Sequence, residues 1–406
     1  MDYGALSRYF NGVAVKVLSA VDLSTNKSHQ HEFNGTGPLR KLFGDDDIRE
    51  IETTFAYLCD ESEPVFCHGS TTWYDARRKH PTRTEYRLYY KENEVVELAG
   101  CGDLMVIART KDAKNLILFA LKGSTIEAQL CWLFGIENVS EKIALSCNDG
   151  LRVSSVAASI LEMIGVDIAP PRSAENYLDA MVARFGHAFP KGADFSSYSA
   201  STLGELDWKC EPDASLVACY DREEMLFRVF ERHLLERDLT PLLTTGALNV
   251  DGVLKTTMST FQRRKSRAGI AFENQITMMF NARGIRYSSQ KYTEGKSKPD
   301  FIFPSIEFYK DPSFPTAGLT MLGAKTTIKE RWRQVLDEAD RIDVKHLITL
   351  EPSVSTDYTK AMQKVRLQLV VPRQLFDSYT VEQRGWLINV GQFCELVESK
   401  QSLYAC

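Results

Sequence analysis

Three side chains in the second half of the chain have the types and order that phosphodiester chemistry needs. Asp300 follows Pro299 and opens a short apolar run, FIF. Lys325 closes a second apolar run, LTMLGA, twenty-five residues later, and Glu338 comes thirteen residues after that. Two carboxylates can bind Mg2+, a hard cation that takes oxygen ligands. Such an ion polarises a scissile phosphate and lowers the pKa of an attacking water. A lysine ammonium nearby can position that water or offset the charge developing on the phosphate. Asp300 and Glu338 are therefore the expected metal ligands, Mg2+ the expected cofactor and Lys325 the expected catalytic cation. A plainer explanation stands beside this one: Pro-Asp often marks a turn, and a lysine at a strand end is often simply solvated. The usual nuclease pattern also has an acid two residues before the lysine. Gly323 stands there, so the second ligand must be Glu338.

The elements that must position these groups are legible in the hydrophobic pattern. FIFP, LTMLGAK, VKHLITL and LQLVVP read as strands. REEMLFRVFERHLLERDL has apolar residues at Met225, Leu226, Val229, Phe230, Leu234 and Leu235, which is helical spacing, and GIAFENQITMMFNARG reads as a second helix ending at Gly284. Helices alternating with apolar strands predict an α/β core with a central mixed sheet. Glu338 is expected on a helix over 327–342. Thr327 and Glu330 could form its capping box, and Trp332, Val335, Leu336, Ala339 and Ile342 its buried stripe.

The first 168 residues differ. VAVKVLSAV, TEYRLYY, DLMVIART and NLILFAL are β-branched or aromatic runs separated by turn residues, with short helices at IEAQLCWLFGI and VSSVAASILEMIG. Pro170 and Pro171 then break regular structure. The expected organisation is a β-rich domain over 1–168, a linker over 169–205 and a second domain over 206–406.

Composition agrees with a globular protein. The 406 residues are enough for two or three domains at about 150 residues each. Hydrophobic and charged fractions of 44% and 25% exclude collagen-like and disordered chains. No apolar run is long enough to span a bilayer, and MDYGALSRYFNG lacks the marks of a secretory signal. Nine scattered cysteines without a CxxC pair suggest reduced thiols, so a cytoplasmic protein without a structural zinc is expected. A net charge of -5 argues against binding nucleic acid by bulk charge. Basic residues are nevertheless grouped: Lys255 to Asp300 holds ten against three acids, and a second run spans Arg77, Arg78, Lys79, Arg83, Arg87 and Lys91. Such stripes suit local phosphate-facing surfaces, although a solvated face would look the same.

A set of longer segments carries a family resemblance. RRKSRAG (263–269), TEGKSKPDFIFPS (293–305), FP (314–315), MLGAKTTIKERWRQVLDEADRI (321–342), HLITL (346–350) and LVVP (369–372) resemble the catalytic domain of EcoRII-like type II restriction endonucleases. The resemblance implies a restriction-endonuclease-like α/β core. It matches Asp300 and Glu338 to metal-binding acids, Lys325 to the catalytic lysine and Tyr309 to a tyrosine near the active site. In that family the second acid is displaced past the lysine, as here. Lys329, Glu330 and Arg331 match a triplet that reads CC/GG pairs in the major groove. Lysine or arginine would donate to guanine and glutamate would accept from cytosine. Without the resemblance, helix solubility would explain the triplet equally well. The implied site is CC-x-GG with A or T at its centre, and the implied partner gene is a methyltransferase protecting that site. Tyr220 and Arg222 lie where the family stacks a flipped central base, although a core or surface role fits them too.

The N-terminal part resembles the effector-DNA domain of the same family (type IIE), a β-pseudobarrel that binds a second copy of the site. LSAVDLSTNKSHQ and KLF are similar to its early strands. Arg83, Glu85 and Arg87 match a charged recognition strand, with His29 a further candidate. Pro81 and Tyr86 replace lysines of the family pattern. Cross-strand ion pairs would explain the same alternation. A near-palindromic site implies a homodimer, with 217–236 and 270–283 as candidate contact surfaces. A second class of function is a DNA-binding regulator whose nuclease-like domain only dimerises. It would have no use for all three of Asp300, Lys325 and Glu338.

Overall fold

The computed structural model describes residues 5–23, 31–137, 140, 142–146, 153–166, 168, 172–244, 249–295 and 297–404. They form two compact units, one of residues 2–168 with 353–355, the other of 169–352 with 356–406. Among the described residues no helix is long and apolar enough to cross a membrane. The seven described cysteines are free thiols.

The first unit is built on one eight-stranded sheet. Its strands are β1 (Phe10–Val17), β2 (Glu32–Gly35), β3 (Ile48–Leu58), β4 (Val65–Asp75), β5 (Tyr86–Tyr90), β6 (Leu104–Thr110), β7 (Asn115–Ala120) and β8 (Ala144–Ser146). They pair in the order β2-β5-β4-β3-β7-β6-β1-β8, and among the described residues β3 and β7 form the one parallel pair. Successive side chains of a strand face opposite ways. Val106, Ala108, Leu116 and Leu118 therefore meet helices Thr125–Phe134 and Ser155–Met163 on one face, while Met105, Ile107, Ile117 and Phe119 join Phe55, Trp73 and Leu88 on the other. Burial on both faces explains why β6 and β7 read as continuous apolar runs.

The second unit begins within the stretch expected to be a linker. Residues 169–205 carry helices Leu178–Phe185 and Gly192–Ser201, and Met181, Phe195 and Tyr198 pack against Met225, Phe227 and Phe230. A Cβ on Gly192 would come within 2.7 Å of the Ile270 side chain, so glycine permits the close approach of Gly192–Ser201 there. Two long helices follow, Pro212–Thr244 and Val250–Arg283, the latter closed by left-handed Gly284.

Five strands make the second sheet: β9 (Ser288–Ser289), β10 (Phe301–Phe303), β11 (Thr320–Ala324), β12 (Lys345–Ile348) and β13 (Leu367–Val370). Their order is β13-β12-β11-β10-β9, parallel among β11, β12 and β13 and antiparallel from β11 to β9. This is the mixed sheet expected from the sequence. Phe280 of the second long helix packs edge-on against Phe301 and Phe303, at 5.3 and 5.2 Å between ring centres. Phe393 of helix Val390–Leu403 joins them at Phe303.

The expected helix over 327–342 is corrected. A 3-10 segment spans Lys329–Asp337, with Ile328 rather than Thr327 at its N-cap and no side-chain cap hydrogen bond there. Lys329 and Ala339 both have positive φ (36° and 54°), which confines regular structure to the stretch between them. With three residues per turn, positions three apart line up. Trp332 and Val335 accordingly share the buried row, which points on toward Glu338.

Candidate active site

The antiparallel pairing of β10 and β11 sets the start of one beside the end of the other, with Phe301 opposite Leu322. Asp300 and Lys325 thus become neighbours. The Lys325 ammonium donates to Asp300 Oδ2 at 2.9 Å, and the Ala324 amide donates to the same oxygen at 2.7 Å. Asp300 is buried and Lys325 half-buried. Two groups missed in the sequence complete the arrangement. The Gln290 side-chain amide donates to Asp300 Oδ1 at 3.0 Å and to Glu273 Oε2 at 2.9 Å. Glu273 comes from the second long helix, and burial followed by the Asp300 charge pushes its carboxyl up. In the sequence Glu273 was merely an acid inside a basic stripe. Only its place on the helical face shared with Ile276 and Phe280 could have signalled it.

Glu338 follows the 3-10 segment in extended conformation. Burial, then the charge of Asp300, push its carboxyl up to about 7, with Lys325 and Lys345 opposing. Its Oε2 is buried with no hydrogen-bond partner. Like charges gathered around one lysine suit a cation. Among the described residues no three His, Cys, Asp or Glu side chains are close enough to form a closed metal cage. Mg2+ does not need one, since it commonly uses one or two carboxylates together with water and substrate phosphate. The orphaned Glu338 oxygen and Asp300 fit that pattern.

Gly323 explains why the second acid is displaced. A Cβ there would lie 3.0 and 3.3 Å from the methyls of Val335, three residues before Glu338. The space an acid would need is filled by the segment that delivers Glu338. Gly323→Ala is expected to shift that segment, costing about 1–3 kcal/mol by overpacking and lowering nuclease activity more than DNA binding. Thermal melting together with cleavage and binding assays checks this; unchanged melting and activity would contradict it.

Comparison with known proteins bears on the whole chain. Residues 227–394 match the family model described as the EcoRII C terminal. The type II restriction enzyme EcoRII of Escherichia coli is 30% identical over 408 aligned residues, which cover 96% of this chain and 94% of that enzyme. The chain belongs to the EcoRII family of type II restriction enzymes. The type II restriction enzyme SsoII of Shigella sonnei is 28% identical over 124 residues, covering 28% of this chain and 39% of SsoII. A solved structure of metal-depleted Ecl18kI in complex with uncleaved, modified DNA aligns at a TM-score of 0.47 and 18% identity, covering 57% of this chain and 85% of that one.

The other residues matched to EcoRII-like enzymes are dispersed. The Tyr309 hydroxyl donates to Glu294 and accepts from the Arg341 amide, so its hydrogen bonds go to groups other than Asp300 and Lys325. Burial and then Glu294 push its hydroxyl up. Lys329 and Arg331 open the 3-10 segment, half-buried and exposed respectively, and the side chain of Glu330 is outside the described residues. Just before them the Ile328 amide is held by the buried Glu351 carboxylate. Tyr220 is buried, its ring in a T-shaped contact with Phe272, and the Arg222 guanidinium lies 5.0 Å above the Tyr177 ring.

In the first unit, Arg83 is exposed in the turn before β5, Glu85 comes immediately before that strand, and Arg87 is on it. Glu85 accepts from Arg77 and Arg87, and Arg87 also donates to Asn34. His29 is outside the described residues. The basic stripe over 255–300 is partly internal wiring: Arg264 pairs with Glu231, Arg267 with Glu224 and Arg283 with Glu398. Stretches 217–236 and 270–283, the candidate dimer surfaces, largely serve the unit's own core through Leu226, Phe230, Ile276 and Phe280. Exposed apolar side chains recur instead at Val250, Leu254, Met258 and Phe261.

Proposed function

We propose that this restriction endonuclease hydrolyses double-stranded DNA at CC-x-GG sites with A or T at the centre, in a Mg2+-dependent reaction run by Asp300, Lys325 and Glu338. The observation that carries this reading is the Asp300–Lys325 ion pair at 2.9 Å beside the buried, unpartnered carboxyl oxygen of Glu338. A divalent ion on Asp300 and Glu338 would neutralise charge on the scissile phosphate and favour an ionised water. Asp300 is fixed by the Ala324 amide, Gln290 and Lys325, so it is already oriented before substrate arrives. Lys325 holds a positive charge where the pentavalent phosphate would develop a negative one. Glu273 enlarges the acidic side of the site. Buried cations and acids in this constellation disfavour the alternative of a regulator with an inactive nuclease-like domain.

Sequence reading is assigned to Lys329, Glu330 and Arg331, which open the segment that ends at Glu338. Recognition and cleavage would then share one rigid element. Arg331→Ala is expected to relax discrimination at its base pair by about 1–3 kcal/mol, with cleavage of cognate DNA slowed. Cleavage of a panel of duplexes varied one pair at a time checks this; unaltered selectivity would remove Arg331 from base readout. A near-palindromic site calls for a homodimer, and the exposed row from Val250 to Phe261 is an apolar surface free for it. The first unit, with Arg83, Glu85 and Arg87, is assigned to binding a second copy of the site as effector. A methyltransferase of the same specificity, acting with the enzyme in the cytoplasm, would protect host DNA. Incubating the protein with plasmid DNA and Mg2+ tests the whole reading. Discrete fragments ending at CC-x-GG are expected; intact plasmid at every metal concentration would reject it.

A further inference from the structure

The backbone around Glu338 has few bonds of its own, the Glu338 amide to the Val335 carbonyl at 3.3 Å and the Ile342 amide to the Ala339 carbonyl at 2.9 Å. Its 3-10 segment stops at Asp337, and Ala339 is left-handed. The stretch is instead pinned at four places by side chains from other elements. Lys345 donates to the Leu336 carbonyl, and Ser297 Oγ donates to the Asp337 carbonyl at 2.7 Å. The Asp340 amide donates to Glu294 Oε2 and the Arg341 amide to the Tyr309 hydroxyl, each at 3.3 Å. The same Tyr309 hydroxyl donates to the other oxygen of Glu294. Arg341 closes the arrangement. Its guanidinium donates to the carbonyls of Tyr309, Asp311 and Phe314, the last two at 2.9 Å. It also lies 5.6 Å over the Tyr309 ring.

Glu294 and Ser297 belong to a tight turn, closed by Ser297 N to Glu294 O at 2.8 Å and Thr293 N to Ser297 O at 3.0 Å. That turn runs directly into Pro299 and Asp300. The loop that delivers one acid thus grips the segment that delivers the other.

We propose that Tyr309, Glu294 and Arg341 form a positioning clamp that fixes the Glu338 carboxylate relative to Asp300. Tyr309 is then a positioning residue and takes no part in bond making. The proposal rests on the assignment of Asp300 and Glu338 as metal ligands. Groups that orient metal ligands typically change metal affinity or activity by about 10–100-fold.

The test uses the full chain carrying Tyr309→Phe, which keeps the ring and removes the hydroxyl, and separately Glu294→Ala and Glu294→Gln. Cleavage is followed against Mg2+ concentration. A second readout, free of turnover, is the rise in melting temperature of the DNA-free protein with Mn2+. Tyr309→Phe and Glu294→Ala are expected to raise the half-effective metal concentration in both assays by about 10–100-fold, with DNA affinity in EDTA unchanged. Glu294→Gln keeps an acceptor oxygen and is expected to fall between Glu294→Ala and wild type. An active wild type whose variants keep its metal dependence overturns the clamp, as does a loss equal at every metal concentration. A wild type that neither cleaves DNA nor responds to Mn2+ overturns the metal-site reading itself, and the clamp with it.

Discussion

Replacing Lys325 by alanine is expected to lower DNA cleavage by about 10²–10³-fold while DNA binding in EDTA stays at the wild-type level. The ammonium is the cation bonded to Asp300 in a pocket that also holds Glu338 and Glu273, whose carboxyls are both pushed up by burial and the Asp300 charge. Removing it takes away the fixed positive charge opposite the developing phosphorane. It also leaves a buried carboxylate without its counter-ion, a change that commonly destabilises by about 3–5 kcal/mol. The Gln290 and Ala324 donors to Asp300 remain, so the loss of stability should fall at or below that range. Thermal melting alongside single-turnover cleavage separates the two effects. Lys325→Met, which restores most of the apolar stem, should recover stability and not rate. Cleavage by Lys325→Ala within a few-fold of wild type would remove the lysine from the chemistry.

Glu338→Gln is the second large effect, and pH exposes it. The Glu338 carboxyl titrates near pH 7 in the folded chain, against about 4.3 in an unfolded one. Between those values the folded state holds a proton that the unfolded state has lost. Its stabilising contribution is therefore full below about pH 4.3 and disappears as pH rises through about 7. The loss should be on the order of 2 kcal/mol, since a part-exposed carboxylate is partly screened by solvent. In EDTA the wild type is expected to melt progressively lower from pH 5 to pH 8. Glu338→Gln should flatten most of that slope, with Glu273 supplying the residue of it. Divalent ions should restore stability to the wild type above pH 7, where the acid is ionised, and act weakly on the variant. Cleavage by the variant is expected to fall by about 10²-fold or more. Identical pH slopes for the two proteins would show that burial and the Asp300 charge do not raise the Glu338 carboxyl.

Much of the catalytic unit could be seen in the sequence because its strands are buried on both faces. FIF and TMLGA are short, mostly apolar runs, and KHLI and LQLV sit within the longer mostly apolar segments VKHLITL and LQLVVP. Asp300, Lys325 and Glu338 were visible because strand ends and turn residues bracket them. The support of Glu338 is not legible in the same way. Trp332, Val335, Ala339 and Ile342 satisfy a helical period, yet the chain there takes 3-10 turns that end at Asp337, with left-handed residues at 329 and 339. Local pattern carries no mark of those two backbone angles. Glu273 and Gln290 were missed because each meets Asp300 only through tertiary structure.

The first unit hid two of its longest strands. β3 and β4 alternate buried residues such as Phe55 and Trp73 with outward Glu, Thr, His and Ser, and the polar half masked the strand signal. Helix Gly192–Ser201 reads as linker in the sequence because the stretch around it is polar and serine-rich, and serine is a poor helix former. There Ser196 and Ser199 are core groups, and Ser196 donates to the buried Glu223 at 3.1 Å and accepts from Asn274. Polar contacts to a partner helix override propensity in a way that sequence periodicity cannot register.

The central claim is that Asp300, Lys325 and Glu338 act together on one phosphodiester bond within a CC-x-GG site. Sequencing the DNA termini left by the wild-type protein, in Mg2+ and in EDTA, tests it most directly. The expected result is a single class of ends, at CC-x-GG sequences, formed only with the metal. Ends scattered over unrelated sequences, the same ends in EDTA, or no ends at all would contradict it.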